Sequence, residues 1–437
     1  MWSGLKWACG LVLLTLCVYW DGRDFDYVWD DALYVQQNAD VQAGLTAASV
    51  RRAFAFQISN WQPLVWLSLM ADVEVFGFRP RSFHTTNLCL HAANAVLLFC
   101  WLRKLTGREF DSAFVAAVFA VHPLHVESVE WISGRKDVLS MFFGLLTLLA
   151  WERYLRVRSR GQLAGVCLAS LASLMSKQLF VTLPVLLLML DFWPLKRVPR
   201  LEQRVPDEGD RGLQRPSEAD FFGIAKALLV EKLPLFVLAV VFSGLAVFAQ
   251  QQGKTVQSLE TLPIVVRVAN AIEVTWLYLG KALWPTKLIA FYPHPGAAVV
   301  SWRVLWELIG LMLVTVAFVS QRGRRPYLIV GWLWYLIALL PMIGIIQVGD
   351  QQMADRYAYL PLIGVYWAAT WWTIDTFRTG TAREMRLTVG IVALAMLAGM
   401  AHLQVGYWRN HATLFGHLEE VLRSQSPPRG AVLPGHR

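Results

Sequence analysis

The feature that most constrains the fold is a series of eleven apolar runs that extends along nearly the whole chain. The runs lie at 7–20, 83–102, 112–124, 137–152, 162–176, 178–193, 227–250, 302–320, 327–346, 358–375 and 387–406. A solitary membrane span needs about 20 apolar residues, so the shorter runs are tolerable only within a bundle of helices. The sequence therefore predicts an all-α integral membrane protein with about eleven transmembrane helices.

Composition and charge agree with this class. Only 16% of the residues are charged, whereas soluble proteins carry about 25%. The net charge of +9 would suit a nucleic-acid partner, but much of it lies in basic connections at 103–108, 153–160, 196–232, 322–325 and 378–386. Basic loops favour the cytoplasmic side of a membrane, so the charge is explained by topology. We predict membrane lipids as partners, and no nucleic acid.

The topology depends on the segment 264–286, which three charged residues interrupt. If this segment is interfacial or re-entrant, every basic connection shares one side with Lys6, and the C-terminus lies outside. If the segment crosses, the last two basic connections turn outward. The first alternative is favoured. It places a long extracytoplasmic loop at about 21–82 and a cytoplasmic linker at about 195–225.

An acidic pair, Asp30 and Asp31, follows the first apolar run by about ten residues. Paired carboxylates can bind a cation or act as a general base, and they are also common in solvated loops. On the second run, His84, Asn87, His91 and Asn94 fall within an arc of about 80° of a helix. Interhelical hydrogen bonds explain such a face, but His84, nearest the outer surface, is a candidate for substrate contact.

The outward segment 122–137 contains His122, His125 and Glu127. The two histidines could contact a metal, but they lack a Cys partner and the HExxH pattern. A cluster that organises an anionic substrate is therefore favoured. No cofactor is assigned with certainty, and a divalent metal remains an option.

Arg135, Lys177 and Arg356 are cations at the predicted outer ends of spans. Arginine makes forked contacts with phosphate oxygens, and lysine supplies a point charge. The alternative is that these side chains anchor the protein at the membrane interface. We predict that at least one of them binds a phosphate group.

Several short stretches, in this order along the chain, carry a resemblance to a known family. They are WDDA at 29–32, WQPL at 61–64, FG at 76–77, HTTN at 84–87, HAAN at 91–94, FAVHPLHVESV at 119–129, SGRKD at 133–137 and DRYAYLP at 355–361. Together they resemble the GT-C glycosyltransferases, and more closely the transmembrane and tetratricopeptide-repeat O-mannosyltransferases and their bacterial relatives. The resemblance covers residues 25–410.

The resemblance implies a GT-C bundle that moves a sugar, mannose in the related enzymes, from a polyprenyl or dolichyl phosphate to an extracytoplasmic hydroxyl. The acceptor would be a protein Ser or Thr, or a glycan. Inversion by single displacement is implied, with Asp30 preferred as general base and Asp31 orienting the loop through Arg51 or Arg52. The expected location is a bacterial inner membrane with the site facing the exterior, or the endoplasmic reticulum in a eukaryote.

Two departures from the family stand out. Gln178 replaces a Glu that the family usually has after Ser-Lys. The predicted membrane domain, 1–410, is followed only by a short helix and tail at 411–437, into which no 34-residue repeat fits. These departures favour a degenerate scaffold, whereas the retained Asp30 and Arg356 oppose it. A lipid-linked-substrate transporter or flippase is a further alternative, but it predicts internal repeats that the sequence lacks.

Overall fold

The computed structural model describes residues 2–198 and 218–425, and most of these residues are helical. The first nine helices are α1 Trp2–Tyr19, α2 Ala39–Gln42, α3 Ala47–Ala53, α4 Pro63–Phe76, α5 Pro80–Thr106, α6 Glu109–Val121, α7 Val126–Glu130, α8 Arg135–Val157 and α9 Arg160–Ser176. The others are α10 Leu183–Phe192, α11 Glu218–Glu231, α12 Leu233–Gln252, α13 Ile264–Leu283, α14 Trp302–Ser320, α15 Pro326–Leu339, α16 Leu362–Thr376, α17 Gly380–Gly406 and α18 His411–Gln425. Two short strands, β1 Tyr292–Pro293 and β2 Gln351–Met353, pair antiparallel.

Six helical segments of the described chain are long and apolar enough to cross a membrane. They are Gly4–Asp24, Pro80–Thr106, Ile132–Val157, Leu233–Gln252, Trp302–Ser320 and Gly380–Gly406. A seventh span results if α6 and the helical segment after it, bent by 58°, cross as one. These helices identify an integral membrane protein and confirm the predicted all-α class. The count of eleven spans stays a prediction, because α10 and α15 are apolar but short.

The predicted interfacial segment forms α13, a helix that is not among these six. Three charged residues interrupt its apolar sequence. Arg267 on α13 is buried and donates to backbone carbonyl groups, including those of Leu262 and Gln257 at 2.8 and 2.7 Å. The helix therefore holds the loop before it in place, whichever way it lies in the membrane.

The long loop predicted at 21–82 is folded, with α2, α3 and α4 inside it. Thr46 and Ser49 form a reciprocal capping box at the start of α3, which satisfies helix N–H groups that lack intrahelical partners. Beneath these helices, the Tyr34 and Trp66 rings stack at 5.1 Å in a small core of their own. The loop is thus a fixed wall that positions the acidic pair.

The main core lies between the long helices and is rich in tryptophan. The Trp101 ring lies 5.6 Å from that of Trp334 and 5.9 Å from that of Trp367. Gly331 and Gly364 allow α15 and α16 to approach closely, since a Cβ on either glycine would lie 2.4 Å from the other's carbonyl oxygen. Larger residues at these two positions would force the helices apart.

Two predicted segments fall partly outside the described residues. The linker predicted at about 195–225 includes 199–217, and the tail after α18 begins at 426. Within the described part, α18 packs its Leu414, Leu418 and Val421 side chains into the main core. His417 Nε2 also lies 3.0 Å from the Leu288 carbonyl oxygen. The helix is therefore docked on the rest of the molecule.

Candidate active site

A cavity of about 530 Å³ collects polar side chains from five separate parts of the sequence. These parts are the folded loop before α5, the start of α8, the turn between α9 and α10, the end of α12 with the segment after it, and the segment 341–357. The volume is in the range of small-molecule sites. Its polar lining includes Asp30, Asn60, Gln62, Lys136, Lys177, Gln178, Gln250, Gln351, Gln352, Arg356 and Tyr357.

Asp30 is the carboxylate that lines this cavity. It is half-buried, and its side chain has no hydrogen bond or ion pair within residues 2–198 and 218–425. The preceding residue, Trp29, has a left-handed backbone with φ of 53°, which is costly for a bulky residue. Its ring stacks on that of Trp131 at 5.0 Å. The stack holds the turn that carries Asp30 against the cavity.

Asp31 is fully buried behind this turn and does not line the cavity. Its Oδ1 accepts hydrogen bonds from the Ser133 backbone N–H at 2.8 Å and hydroxyl at 2.6 Å, and its Oδ2 accepts from the Val28 N–H at 3.1 Å. Burial raises the pKa of Asp31 to about 7, although these hydrogen bonds oppose the rise. Asp31 therefore joins the first loop to the turn before α8.

The expected loop partners of the acidic pair do not reach it. Arg52 forms an ion pair with Asp40 instead. The structure supplies Ser133 as the partner of Asp31, a residue 102 positions away in sequence. No local pattern marks that contact.

Two of the predicted cations, Arg356 and Lys177, line the cavity, and each has a carboxylate partner. The Arg356 guanidinium pairs with Glu127, which also accepts the Arg356 backbone N–H at 2.8 Å. Burial lowers the pKa of Arg356, but the nearby Glu127, Tyr357 and Asp137 groups together outweigh burial, so the pKa is raised. Lys177 Nζ lies 2.5 Å from Asp137 Oδ1. Glu127 thus holds the Arg356 side chain in place at the cavity.

The third predicted cation, Arg135, points away from the cavity. Its guanidinium is completely buried and contacts Asp72 at 2.6 Å, the Ser68 hydroxyl at 2.6 Å and the Asn87 side chain at 2.5 Å. These contacts fix α4, α5 and α8 to one another. The structure places Arg135 in the helix packing rather than among the residues that line the cavity.

The three candidate histidines are also buried in the helical core and do not line the cavity. His122 Nε2 lies 3.0 Å from the Ala282 carbonyl oxygen, and His125 Nε2 lies 3.3 Å from the Tyr366 hydroxyl. His84 interacts with the backbone of Asp26 and Glu130. Because these histidines do not line the cavity, a substrate bound there would not make the contacts predicted for them.

The polar face of α5 serves helix packing. His91 Nδ1 lies 2.7 Å from the Tyr359 hydroxyl, and Asn94 donates to the Val138 carbonyl oxygen at 2.9 Å. Asn87 donates to the Trp131 carbonyl oxygen at 3.0 Å. His91 also contacts the Ala120 carbonyl oxygen on α6, and Asn87 accepts from Arg135 on α8. Interhelical hydrogen bonding, one of the two interpretations of this face, is therefore confirmed for these three residues.

Sequence reasoning missed several residues of the cavity. Lys136 lies between Arg135 and Asp137, and nothing in the sequence distinguishes it from them. Tyr357 and the amides of Gln250, Gln351 and Gln352 also line the cavity without having been predicted. In the part of the chain that the structure describes, no three His, Cys, Asp or Glu side chains form a metal-binding group.

The arrangement combines a carboxylate that is free to accept a proton with cations that can receive negative charge. Proton acceptance by a positioned carboxylate is general base catalysis. Fixed cations stabilise charge as it develops on a leaving group. Asp30 supplies the carboxylate and Arg356, Lys177 and Lys136 supply the cations, all within one cavity.

Comparison with known proteins gives matches that carry the name protein O-mannosyl-transferase. Protein O-mannosyl-transferase Tmtc1 of Drosophila melanogaster is 28% identical over 186 residues, which is 41% of this chain and 22% of that protein. The chain resembles the protein O-mannosyl-transferases. Human TMTC1 is 32% identical over 140 residues, 30% of this chain and 16% of that protein. Human TMTC4 is 30% identical over 155 residues, 30% of this chain and 21% of that protein.

The resemblance to protein O-mannosyl-transferases covers only part of each molecule. No protein-family model matches the chain. The matched stretches span less than a quarter of the length of these relatives. The match therefore supports the family resemblance over part of the chain.

Proposed function

We propose that the protein is a membrane glycosyltransferase. It transfers a sugar, mannose by analogy with its relatives, from a polyprenyl or dolichyl phosphate to a hydroxyl group outside the cytoplasm. The observation that carries the proposal is the cavity in which the unpaired Asp30 carboxylate meets Arg356, Lys177 and Lys136. The names of the relatives add mannose as the sugar and protein as the acceptor.

In the proposed reaction, Asp30 accepts the proton of the acceptor hydroxyl as its oxygen attacks the anomeric carbon. The bond from that carbon to the phosphate oxygen breaks, and its electron pair leaves with the phosphate. Attack from the opposite face inverts the anomeric configuration. No covalent sugar–enzyme intermediate is needed.

Arg356 and Lys177 are proposed to surround the departing phosphate. Arg356 is held in place by two contacts with Glu127, so little reorganisation is needed as negative charge builds up. Gln178, at the position where the family usually has Glu, lines the same cavity. An amide there can hydrogen-bond a sugar hydroxyl as donor or acceptor.

The proposed architecture is a GT-C bundle of eleven spans with its cavity facing the exterior of a bacterial inner membrane, or the lumen of the endoplasmic reticulum in a eukaryote. Residues 1–410 would form the membrane domain. Reporter fusions after Gln321 and after Arg409 test it, because they should report opposite sides of the membrane. The same side for both would contradict the eleven-span topology.

The proposed activity is tested with the purified full chain in detergent. The chain is incubated with radiolabelled polyprenyl-phosphate mannose and with Ser- and Thr-containing peptides or a glycan acceptor. We expect label in the acceptor with the parent, and very little with an Asp30→Asn variant. Donor binding without transfer to any acceptor would favour the degenerate scaffold, and release of intact donor across a vesicle membrane would favour a flippase.

A further inference from the structure

Lys136 is a charged residue of the cavity that the proposed reaction leaves without an assigned role. Of the three cations in the lining, Arg356 pairs with Glu127 and Lys177 pairs with Asp137. Among the described residues, the Lys136 ammonium group has neither an ion pair nor a hydrogen bond. Its positive charge is therefore available to a ligand.

Aromatic rings fix the position of this charge. The Lys136 Nζ lies 4.6 Å from the centroid of the Trp131 ring and 4.9 Å from that of the Tyr34 ring. The Arg356 guanidinium lies 5.1 Å from the same Trp131 ring. Two like charges beside one ring repel each other, and an anion between them would relieve that repulsion.

The charges of the cavity match one kind of ligand. Arg356 and Lys177 each form a salt bridge with a carboxylate, whereas Lys136 is attracted by Asp137 and Asp30 without forming a salt bridge among the described residues. A sugar linked through a single phosphate carries one negative charge on its phosphodiester. Its phosphate would bind Lys136. Its anomeric carbon would remain accessible to an acceptor hydroxyl whose proton Asp30 accepts.

We propose that Lys136 is the principal contact for the donor phosphate, with Arg356 and Lys177 completing the site around it. This inference rests on the glycosyltransferase function proposed above and names the residue on which recognition of the phosphate depends. The chemistry recognised is a phosphate group, whether on an isoprenyl lipid or free in solution.

The substitution Lys136→Met tests this role without breaking an ion pair. Methionine keeps an unbranched side chain beside the Trp131 and Tyr34 rings and removes only the charge. No carboxylate is left buried and unpaired, in contrast to substitutions of Lys177 or Arg356. Lys136→Arg keeps the charge, and Lys104→Met removes a charge from an exposed lysine outside the cavity.

Binding is measured by isothermal titration of the purified chain in detergent with farnesyl phosphate, inorganic phosphate and the uncharged farnesol. We expect Lys136→Met to weaken farnesyl phosphate binding by about 10- to 100-fold, the range for loss of a charged hydrogen bond. Farnesol binding should not change. Lys136→Arg and Lys104→Met should bind farnesyl phosphate much as the parent does.

The different ligands distinguish a lipid-linked phosphate from a free one. The outcomes also distinguish failure of this inference from failure of the proposed function. Lys136-dependent binding of inorganic phosphate would show that the phosphate group alone suffices. Lys136-dependent binding of farnesyl phosphate alone would identify a lipid headgroup, and both results support the inference. A Lys136→Met variant that binds farnesyl phosphate as the parent does overturns it and leaves the proposed function intact. A parent that binds no phosphate and transfers no sugar overturns both.

Discussion

Two clusters of charged side chains lie at opposite ends of α8, and they differ in whether their side chains form salt bridges. The cavity cluster contains Asp30 and Lys136, neither of which forms a salt bridge in the described chain. The closed cluster consists of Arg158, Asp191, Arg197, Glu231 and Lys232. At about 1.5 Å per residue, 22 helical residues separate Lys136 from Arg158 by roughly 33 Å, close to the hydrocarbon thickness of a membrane.

In the closed cluster every charged group has an oppositely charged partner, because three cations share two carboxylates. Lys232 is fully buried, and its Nζ lies 2.5 Å from Asp191 Oδ2 and 4.9 Å from the centroid of the Trp151 ring. Arg197 contacts Asp191 and Glu231, each at 2.8 Å. This cluster ties the ends of α10, α11 and α12 to α8. Matched charges hold helices together, whereas the unmatched charges of the cavity are available to a substrate.

The largest effect should follow from removing the unmatched carboxylate. We expect Asp30→Asn to lower sugar turnover by about 10²- to 10⁴-fold, the usual loss when a general base is removed. The melting temperature should not fall, because the Asp30 side chain has no partner in the described structure. Asp26→Asn, at an exposed position outside the cavity, is the matched control. If Asp30→Asn turned over sugar at the parent rate, Asp30 would not be the general base.

Breaking the closed cluster should cost stability instead. Lys232→Met leaves the buried Asp191 with Arg197 as its remaining salt-bridge partner, so we expect the free energy of unfolding to fall by about 3 kcal/mol, the lower end of the range for a broken buried pair. Adding Asp191→Asn should recover part of the loss. Thermal unfolding in detergent measures both effects. Sugar transfer per folded molecule should stay at the parent level, and a selective loss of transfer would contradict the division between the clusters.

The pH dependence of stability tests the burial of Asp31. Burial raises the pKa of Asp31 from 3.8 to about 7. Between these values the folded state keeps a proton that the unfolded state loses, so stability falls as the pH rises towards 7. Because each pKa unit corresponds to about 1.4 kcal/mol, this contribution is at most about 4 kcal/mol. We expect Asp31→Asn to show a flatter profile of unfolding temperature against pH, and equal slopes in both proteins would contradict this origin.

The smallest effect should come from an exposed ion pair. Arg423 pairs with Glu419 one turn earlier on α18 at 3.0 Å, and its side chain is 81% exposed. Exposed pairs contribute about 0.2–1 kcal/mol. We expect Arg423→Ala to change the melting temperature only slightly, in the same assay as Lys232→Met. A loss as large as that of Lys232→Met would show that pairing alone, without burial, sets the energy.

The sequence predicted the helices well because apolar runs depend on local composition. It also predicted that Asp30, Lys177 and Arg356 belong to outward segments, and the structure brings them to one cavity. Lys136 could not be distinguished, because successive residues at the start of a helix point about 100° apart. Only the tertiary packing sends Arg135 to Asp72 and Asp137 to Lys177, which leaves Lys136 for the cavity.

The partners of the buried histidines could not be predicted from the sequence. A polar residue within an apolar run signals an inward position but not what it meets there. His91 contacts the Tyr359 hydroxyl and the Ala120 carbonyl oxygen, and His122 Nε2 lies 3.0 Å from the Ala282 carbonyl oxygen. Pairings of this kind join distant segments, so the amino-acid sequence of either segment does not contain them.

The uninterrupted helix α8 has a consequence for how this chain can vary. Since one helix carries residues of both clusters, their relative orientation is fixed by the number of residues between them. Inserting or deleting one residue between Lys136 and Trp151 would turn one cluster about 100° relative to the other and shift it by about 1.5 Å. The number of residues in the middle of α8 is therefore fixed by the two clusters that the helix carries.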